Sequence, residues 1–312
     1  MIRLPKVRNL FIVALAMSVL AACGEPAATP TQVAQPTAQP TIPTGGNLIT
    51  PESGLPATTT PGGSTGISTR EGKELLVFAA SSLKDVFESM DAAFETAKVG
   101  KVSYNFAGSQ VLAAQIKQGA AADVIVTADE KTTTALIADG YVPDGTQRLL
   151  ATNKLVVIVP PGASPKVASL NDLLKTGTKI VIADSTVPAG AYTEQALDKM
   201  SADKALGADF KERVLANVVS RENNVRQVLT KVQLGEADAG FVYATDAKST
   251  EGSTSGAVGT IPIPDGYNVV AKYFIAPVVA LPHATAGLRF IKYLLTDEGQ
   301  KAMAQFGFGP NK

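Results

Sequence analysis

The sequence predicts an α/β fold with largely parallel sheets. From Leu75 to the C-terminus, short apolar runs of strand length alternate with stripes at helical spacing, the pattern of sheets covered by helices. The helices that follow strands open on small or neutral polar residues rather than on Lys or Arg. In sheets of this kind ligands sit beyond the carboxyl ends of the strands, where helices begin.

The chain before that body is different material. Arg3, Lys6 and Arg8 form a basic segment, and Leu10 to Leu20 is an almost unbroken apolar run. It is shorter than the ~20 residues a bilayer-spanning helix needs and has the form of a secretory signal. It ends in Leu20-Ala21-Ala22-Cys23-Gly24, which resembles a bacterial lipobox. That resemblance implies a signal peptide over residues 1–22, cleavage before Cys23 and lipid on its sulfur. The mature protein is then expected outside the cytoplasmic membrane, anchored to it by that lipid. Residues 23–72 are rich in Pro, Thr, Gly and Ala and lack aromatic residues, so they bury too little apolar surface to offset their ordering entropy. They read as a disordered tether, and a flexible chain of roughly 50 residues spans about 40 Å. Gly62-Gly63-Ser64-Thr65-Gly66 matches the Gly-x-Ser-x-Gly pattern of serine hydrolases. It has no strand before it and no helix after it to expose the Ser, and it reads as chance.

The body opens with a strand, Leu75-Leu76-Val77-Phe78, that runs into a helix with Leu83, Val86, Phe87, Met90 and Phe94 on one face. Ser81 and Ser82 stand where its cap belongs, and Asp85 gives a short-armed capping box with Ser82. Further strands are expected at residues 102–106, 124–127, 155–159, 180–183, 217–219 and 239–243. Helices are expected at 111–117, 131–139, 169–175, 193–200, 208–216 and 225–234. A hinge-like strand over 273–281 precedes two C-terminal helices, one with a stripe of Leu288, Ile291, Leu294 and Leu295, the other with Ala302, Met303 and Phe306.

Four strand-to-helix junctions share one chemistry: those at Ser82, Ser109, Ala189 and Val225. Each offers free backbone N–H groups and the positive end of a helix dipole, a place to hold an anion. Pro188 suits a first helical turn, and Gly190 reads as a close approach of backbone to ligand. Any one junction alone is ordinary capping; four together on an exported body point to an anion receptor. Lys84, Arg221 and Arg226 flank the junctions and read as solvated charges that steer anions. Tyr243, taken alone, reads as a core tyrosine with its hydroxyl at the surface.

Composition narrows the partners. The chain has 28 basic and 28 acidic side chains, which gives no reason to expect nucleic acid. One Cys makes no internal disulfide, and one Cys with one His makes no His/Cys metal site of the usual kinds.

From about Lys73 onward the chain resembles the periplasmic molybdate-binding proteins of ABC importers. The residues that carry this are Val77-Phe78-Ala79-Ala80-Ser81-Ser82-Leu83, Phe106-Ala107-Gly108-Ser109, Gly119-Ala120-Ala121-Ala122-Asp123-Val124, Val187-Pro188-Ala189-Gly190 with Tyr192, Asn224-Val225-Arg226 and Gly240-Phe241-Val242-Tyr243-Ala244-Thr245-Asp246-Ala247. The resemblance implies a two-lobe periplasmic-binding-protein fold of type II, each lobe a mixed sheet flanked by helices, joined by hinge strands. Residues 73–151 with 273–312 would form one lobe and 152–272 the other. It implies a molybdate or tungstate oxyanion held in the cleft by Ser82, Ser109, N–H groups near Ala189 and Val225, and Tyr243, with no direct metal coordination and no cofactor. It implies a monomer that serves an ABC permease and is not an enzyme. Gly108 and Gln110 depart from the family pattern, where small polar residues are common, and bear on contacts behind the site. Related ferric-ion receptors carry adjacent tyrosines; Val242 and Ala244 flank Tyr243 here and argue against iron.

Three other readings stand beside this one. A sulfate receptor would use the same donors. An exported serine hydrolase using Ser82 or Ser109 needs a base, and the sole His, His283, reads as a surface or capping residue. Ser81 to Lys84 has Ser-x-x-Lys spacing but lacks the companion motifs. A surface adhesion module predicts a broad apolar patch.

Overall fold

The computed structural model describes residues 74–162, 166–279 and 283–312. The expected signal peptide, Cys23, the tether and the Gly62–Gly66 pattern lie outside the described residues.

Two mixed five-stranded sheets form the body. The first runs β2 (Val102–Ala107), β1 (Leu75–Ala80), β3 (Val124–Thr127), β10 (Ala271–Pro277), β4 (Arg148–Asn153). The second runs β7 (Val218–Glu222), β6 (Ile180–Ala183), β8 (Ala239–Tyr243), β5 (Leu155–Val159), β9 (Gly259–Pro262). In the first, β1 pairs in parallel with β2 and β3, while β10 is antiparallel to β3 and β4. In the second, β6 is parallel to β7 and β8, while β5 is antiparallel to β8 and β9. The parallel part of the expectation therefore holds for three strands of each sheet, and the others make the sheets mixed. The chain passes between sheets twice: at Lys154, between β4 and β5, and over residues 263–270, between β9 and β10.

Sequence pattern explains most of the elements. The stripe Leu83, Val86, Phe87, Met90 and Phe94 is buried, each 3% exposed or less. It belongs to a 3₁₀ turn (Ser81–Leu83) and two short helices, α1 (Lys84–Ser89) and α2 (Asp91–Thr96), rather than to one helix. Phe87 meets Phe290 edge-on at 5.6 Å, which seats α1 against α9 (Ala284–Leu294). On α9 the buried face is Gly287, Phe290, Ile291 and Leu294; Leu288, expected on that stripe, is 56% exposed. In α10 (Asp297–Gln305) Met303 is buried as expected.

Behind the strands lie α3 (Ser109–Lys117), α4 (Glu130–Ala138), α5 (Pro188–Ala202), α6 (Phe210–Ala216), α7 (Val225–Gln233) and α8 (Ala244–Lys248). α5 begins five residues before its expected start because Pro188 occupies its first turn. The expected helix at 169–175 is a 3₁₀ segment, Leu170–Leu174, held by Asp172 accepting from the N–H groups of Ala168 and Ser169. Among the described residues no helix is long and apolar enough to cross a membrane.

Candidate functional site

The ends of β1, β2, β6 and β8 and the start of α7 meet at one cleft between the two sheets. After β2, Gly108 caps α3 and Ser109 is its first residue. After β6, Val187 caps α5, with Pro188 and Ala189 in its first turn. After β7, Asn224 caps α7, its side chain accepting from Gln227 N–H at 3.1 Å, and Val225 opens the helix. Ser82, Ser109, Ala189, Val225 and Tyr243 all line this cleft, with Ala80, Ser81, Gly108 and Ala128 among their neighbours. Three helix N-termini, of α3, α5 and α7, thus point their unpaired N–H groups at one place.

Ser82 and Ser109 are 2% and 1% exposed. Ser82 Oγ lies 2.8 Å from the Tyr273 hydroxyl, and Ser109 Oγ accepts from Ala128 N–H at 3.0 Å. Neither serine caps its helix by side chain, which corrects the capping box expected for Ser82 and Asp85. Tyr243 is 1% exposed, and its hydroxyl has no hydrogen-bond partner. The surface hydroxyl read from sequence alone is thereby excluded. Burial, and then neighbouring Tyr273, raise the Tyr243 phenol well above its ordinary pKa, so it stays protonated and able to donate.

Arg226 is not a solvated steering charge. Its side chain is 21% exposed; its Nη2 lies 2.5 Å from Asp85 of the first lobe, and its Nε lies 2.7 Å from Asp246, oblique to it. It also donates to Ser82 O at 3.4 Å and to Ser249 Oγ at 3.1 Å. One guanidinium therefore ties the lobes together and stands between two carboxylates. Asp246, fully buried, accepts from Tyr243 N–H at 3.2 Å. Burial pushes its pKa up to about 6 against the pull of Arg226. Lys84 and Arg221 do face solvent, paired with Glu88 at 2.5 Å and Glu194 at 3.4 Å.

Two glycines have roles different from those expected. A Cβ on Gly190 would fall 2.0 Å from Asp184 O, so its close approach is to the end of β6 rather than to a ligand. A Cβ on Gly108 would fall 2.5 Å from Asn223 O in the second lobe and 2.5 Å from Gln110 Oε1. Gln110 itself donates to Asn223 O at 2.9 Å. The two departures from the family pattern thus form one interlobe contact.

His283 is the N-cap residue of α9, as a capping reading expects, although its side chain makes no cap hydrogen bond and is largely buried. Its Nδ1 lies 2.9 Å from buried Asp123, which also accepts from His283 N–H and from Leu76 N–H. Among the described residues that line the cleft with Ser82 and Ser109 there is no His, Lys, Asp or Glu to act as a base. Sequence reasoning missed Asn153, Thr245 and Tyr273 as parts of the site. Asn153 Nδ2 donates to Thr245 Oγ1 at 2.9 Å, across the lobes, and lies 3.5 Å from the Tyr273 hydroxyl. Tyr273 was legible only as an apolar residue of a hinge strand. Among the described residues no group of three or more His, Cys, Asp or Glu is placed to hold a metal ion.

Two α/β lobes, a chain that crosses twice between them and a buried cleft lined with donors from both define a solute receptor. The chain belongs to the family of bacterial extracellular solute-binding proteins, which it matches over residues 75–309. It is 32% identical over 241 residues to the molybdate-binding protein ModA of Mycobacterium tuberculosis (strain H37Rv), a match covering 77% of this chain and 86% of that one. In structure it is similar to the periplasmic molybdate-binding protein of Azotobacter vinelandii, with a TM-score of 0.64 at 22% identity over 76% of this chain and 99% of that one. It is similar also to the sulfate-binding protein SubI of Mycobacterium tuberculosis, with a TM-score of 0.67 at 20% identity over 76% and 86%. Those two likenesses bear on the fold, two mixed sheets with flanking helices. The family binds solutes and is not enzymatic, so the hydrolase reading falls.

Proposed function

We propose that this protein captures molybdate or tungstate between its lobes and delivers it to an ABC transporter permease. The observation that carries the reading is the Tyr243 hydroxyl, buried and without a partner beside two serines and three helix starts. A buried unpaired hydroxyl costs about 1–3 kcal/mol, and an oxygen of a bound anion would remove that cost. The ligand set would be Ser82, Ser109, N–H groups near Ala189 and Val225, and Tyr243.

The chemistry is that of a dianion held by neutral donors. Hydrogen bonds to a charged acceptor contribute about 1.5–3 kcal/mol each net, so several replace a hydration shell without a countercharge. Arg226 leaves no free cation, since Asp85 and Asp246 already answer it. Such a site favours a fully ionised oxyanion, because the O–H of monohydrogen phosphate would face a donor. Sulfate has the same charge and shape as molybdate and is separated from it only by size. The relatives named as molybdate-binding, ModA of Mycobacterium tuberculosis among them, favour molybdate.

The body of the first sheet, with Asn153 at the end of β4, and the body of the second sheet would move as two units, closing on the anion and presenting the loaded form to the permease. Lipid on Cys23 and a tether over residues 23–72 would hold a monomeric receptor near the membrane. Calorimetry of the purified protein with molybdate, tungstate, sulfate and phosphate tests the reading. Tight binding of molybdate and tungstate with weak sulfate and phosphate is expected; tighter sulfate would reassign the ligand, and no oxyanion binding would end the proposal.

A further inference from the structure

We propose that Tyr273, oriented by Asn153, is a positioning residue that compels Ser82 to donate into the cleft and so sets selectivity against protonated oxyanions. This rests on the oxyanion reading above. Asn153 ends β4 and is 4% exposed. Its Oδ1 accepts from Lys154 N–H at 2.9 Å, which fixes which way the amide faces, because an N–H can only donate. The Nδ2 group therefore points at Thr245 Oγ1 (2.9 Å) and at the Tyr273 oxygen (3.5 Å). It too can only donate, so the Tyr273 oxygen receives there.

The phenolic proton of Tyr273 then has one acceptor within reach, Ser82 Oγ at 2.8 Å. If Ser82 donated to Tyr273 instead, that proton would be left between donors in a fully buried position. Ser82 Oγ must accept from Tyr273, and its own proton is left for the cleft. Burial holds the Tyr273 phenol well above its ordinary pKa, which keeps the relay proton in place. Ser109 Oγ accepts from Ala128 N–H at 3.0 Å, which leaves its proton for the cleft as well. Both hydroxyls thus face the cleft as donors. Each serine keeps a second lone pair, but an anion bearing its own O–H reaches it only by turning the serine proton away from the anion, where the hydrogen bonds of the described residues offer that proton no other acceptor.

The test is calorimetry with molybdate and with monohydrogen arsenate at about pH 8, on the wild type, Tyr273→Phe, Ser82→Ala and the double variant. Phe keeps the ring that packs against Tyr243 and Phe308, and a melting curve verifies the fold. In Tyr273→Phe the Ser82 hydroxyl is free to turn and accept. Molybdate binding is expected to weaken about five- to tenfold, the equivalent of one hydrogen bond, with arsenate weakened less or not at all. The double variant should bind molybdate no more weakly than Ser82→Ala. Asn153→Asp supplies a second route: its carboxylate takes the phenolic proton and turns the relay round, and the molybdate-to-arsenate ratio should again fall. A merely structural Tyr273 would weaken both anions by one factor, or add to Ser82→Ala in the double variant; either result overturns the proposal while leaving the oxyanion reading intact. A wild type that binds neither anion overturns both.

Discussion

Gly108→Ala should weaken anion binding without harming either lobe. The added Cβ would sit 2.5 Å from Asn223 O, 0.9 Å short of the 3.4 Å at which such contacts become ordinary, and equally close to Gln110 Oε1. The Gln110 side chain can swing aside, at the cost of its 2.9 Å bond to Asn223 O, about 0.5–1.5 kcal/mol. The Asn223 carbonyl is backbone and leads directly into α7, so relief there requires the lobes to part or the start of α7 to shift. Overpacking of that kind costs about 1–3 kcal/mol. Taken together, a loss of about 2–3 kcal/mol in the closed form predicts a Kd weakened roughly 30- to 150-fold. The clash lies between lobes, so the melting temperature measured without ligand should stay within a degree or so of wild type. Calorimetry with molybdate and a melting curve make the pair of measurements. Adding Gln110→Ala should cost less in the Gly108→Ala background than alone, because the two changes relieve one contact. A Gly108→Ala protein that binds molybdate within about twofold of wild type would refute the interlobe reading of that contact.

Tyr243→Phe should move stability and affinity in opposite directions. Removing an unpartnered buried hydroxyl is expected to stabilise the ligand-free protein by about 1 kcal/mol, while molybdate affinity falls about tenfold with the lost donor; a parallel loss of both would count against a ligand role. Asp246 makes stability depend on pH. Its folded pKa of about 6 lies above the ordinary value of 3.8, so its contribution is fully present below the ordinary value and is lost as pH rises through the folded one. The shift corresponds to a loss of order 2–3 kcal/mol by pH 7. Asp246→Asn should therefore gain on wild type between pH 5 and pH 7 in urea denaturation, and parallel profiles would show that burial does not dominate this carboxyl.

The parts of the site that sequence exposed were those tied to a local pattern. A strand ending in Ser81-Ser82, a helix opening on Ser109, and Pro188 before Ala189 each announce a helix start within a few residues. Four cleft residues from two lobes, Ser82, Ser109, Ala189 and Val225, were reached that way, while Tyr243 entered only through the family resemblance. What escaped was non-local. Asp85 three residues after Ser82 fits a capping box as well as it fits Arg226, and only the distance of 2.5 Å across 141 positions decides between them. Arg226 beside a helix start looks solvated until Asp246 is folded beneath it. Strands β4 and β9 were passed over because Arg148–Asn153 and Gly259–Pro262 lack clean alternation and lie at sheet edges. With β4 unread, Asn153 had no place from which to reach Tyr273.

The interlobe contacts raise the question of what keeps the empty receptor from staying shut. Arg226 to Asp85, Gln110 to Asn223 O and Asn153 to Thr245 all reward closure, whether or not an anion is present. Against them stands the cleft itself. Closing it dry strands the Tyr243 hydroxyl, the inward protons of two serines and the N–H groups at the starts of α5 and α7, each costing about 1–3 kcal/mol when buried unpaired. On the proposed function those penalties oppose the latch contacts and disfavour the empty closed form. An oxyanion reverses the sign of the donor contribution while leaving the latch contacts unchanged, which is the differential affinity a population shift requires. On the proposed function, the donors that set selectivity are therefore also the groups that make closure conditional on cargo. A positive charge free in the cleft would undo this, by drawing in any anion and closing on it. Holding Arg226 between two carboxylates removes that charge from the ligand and turns it to joining the lobes.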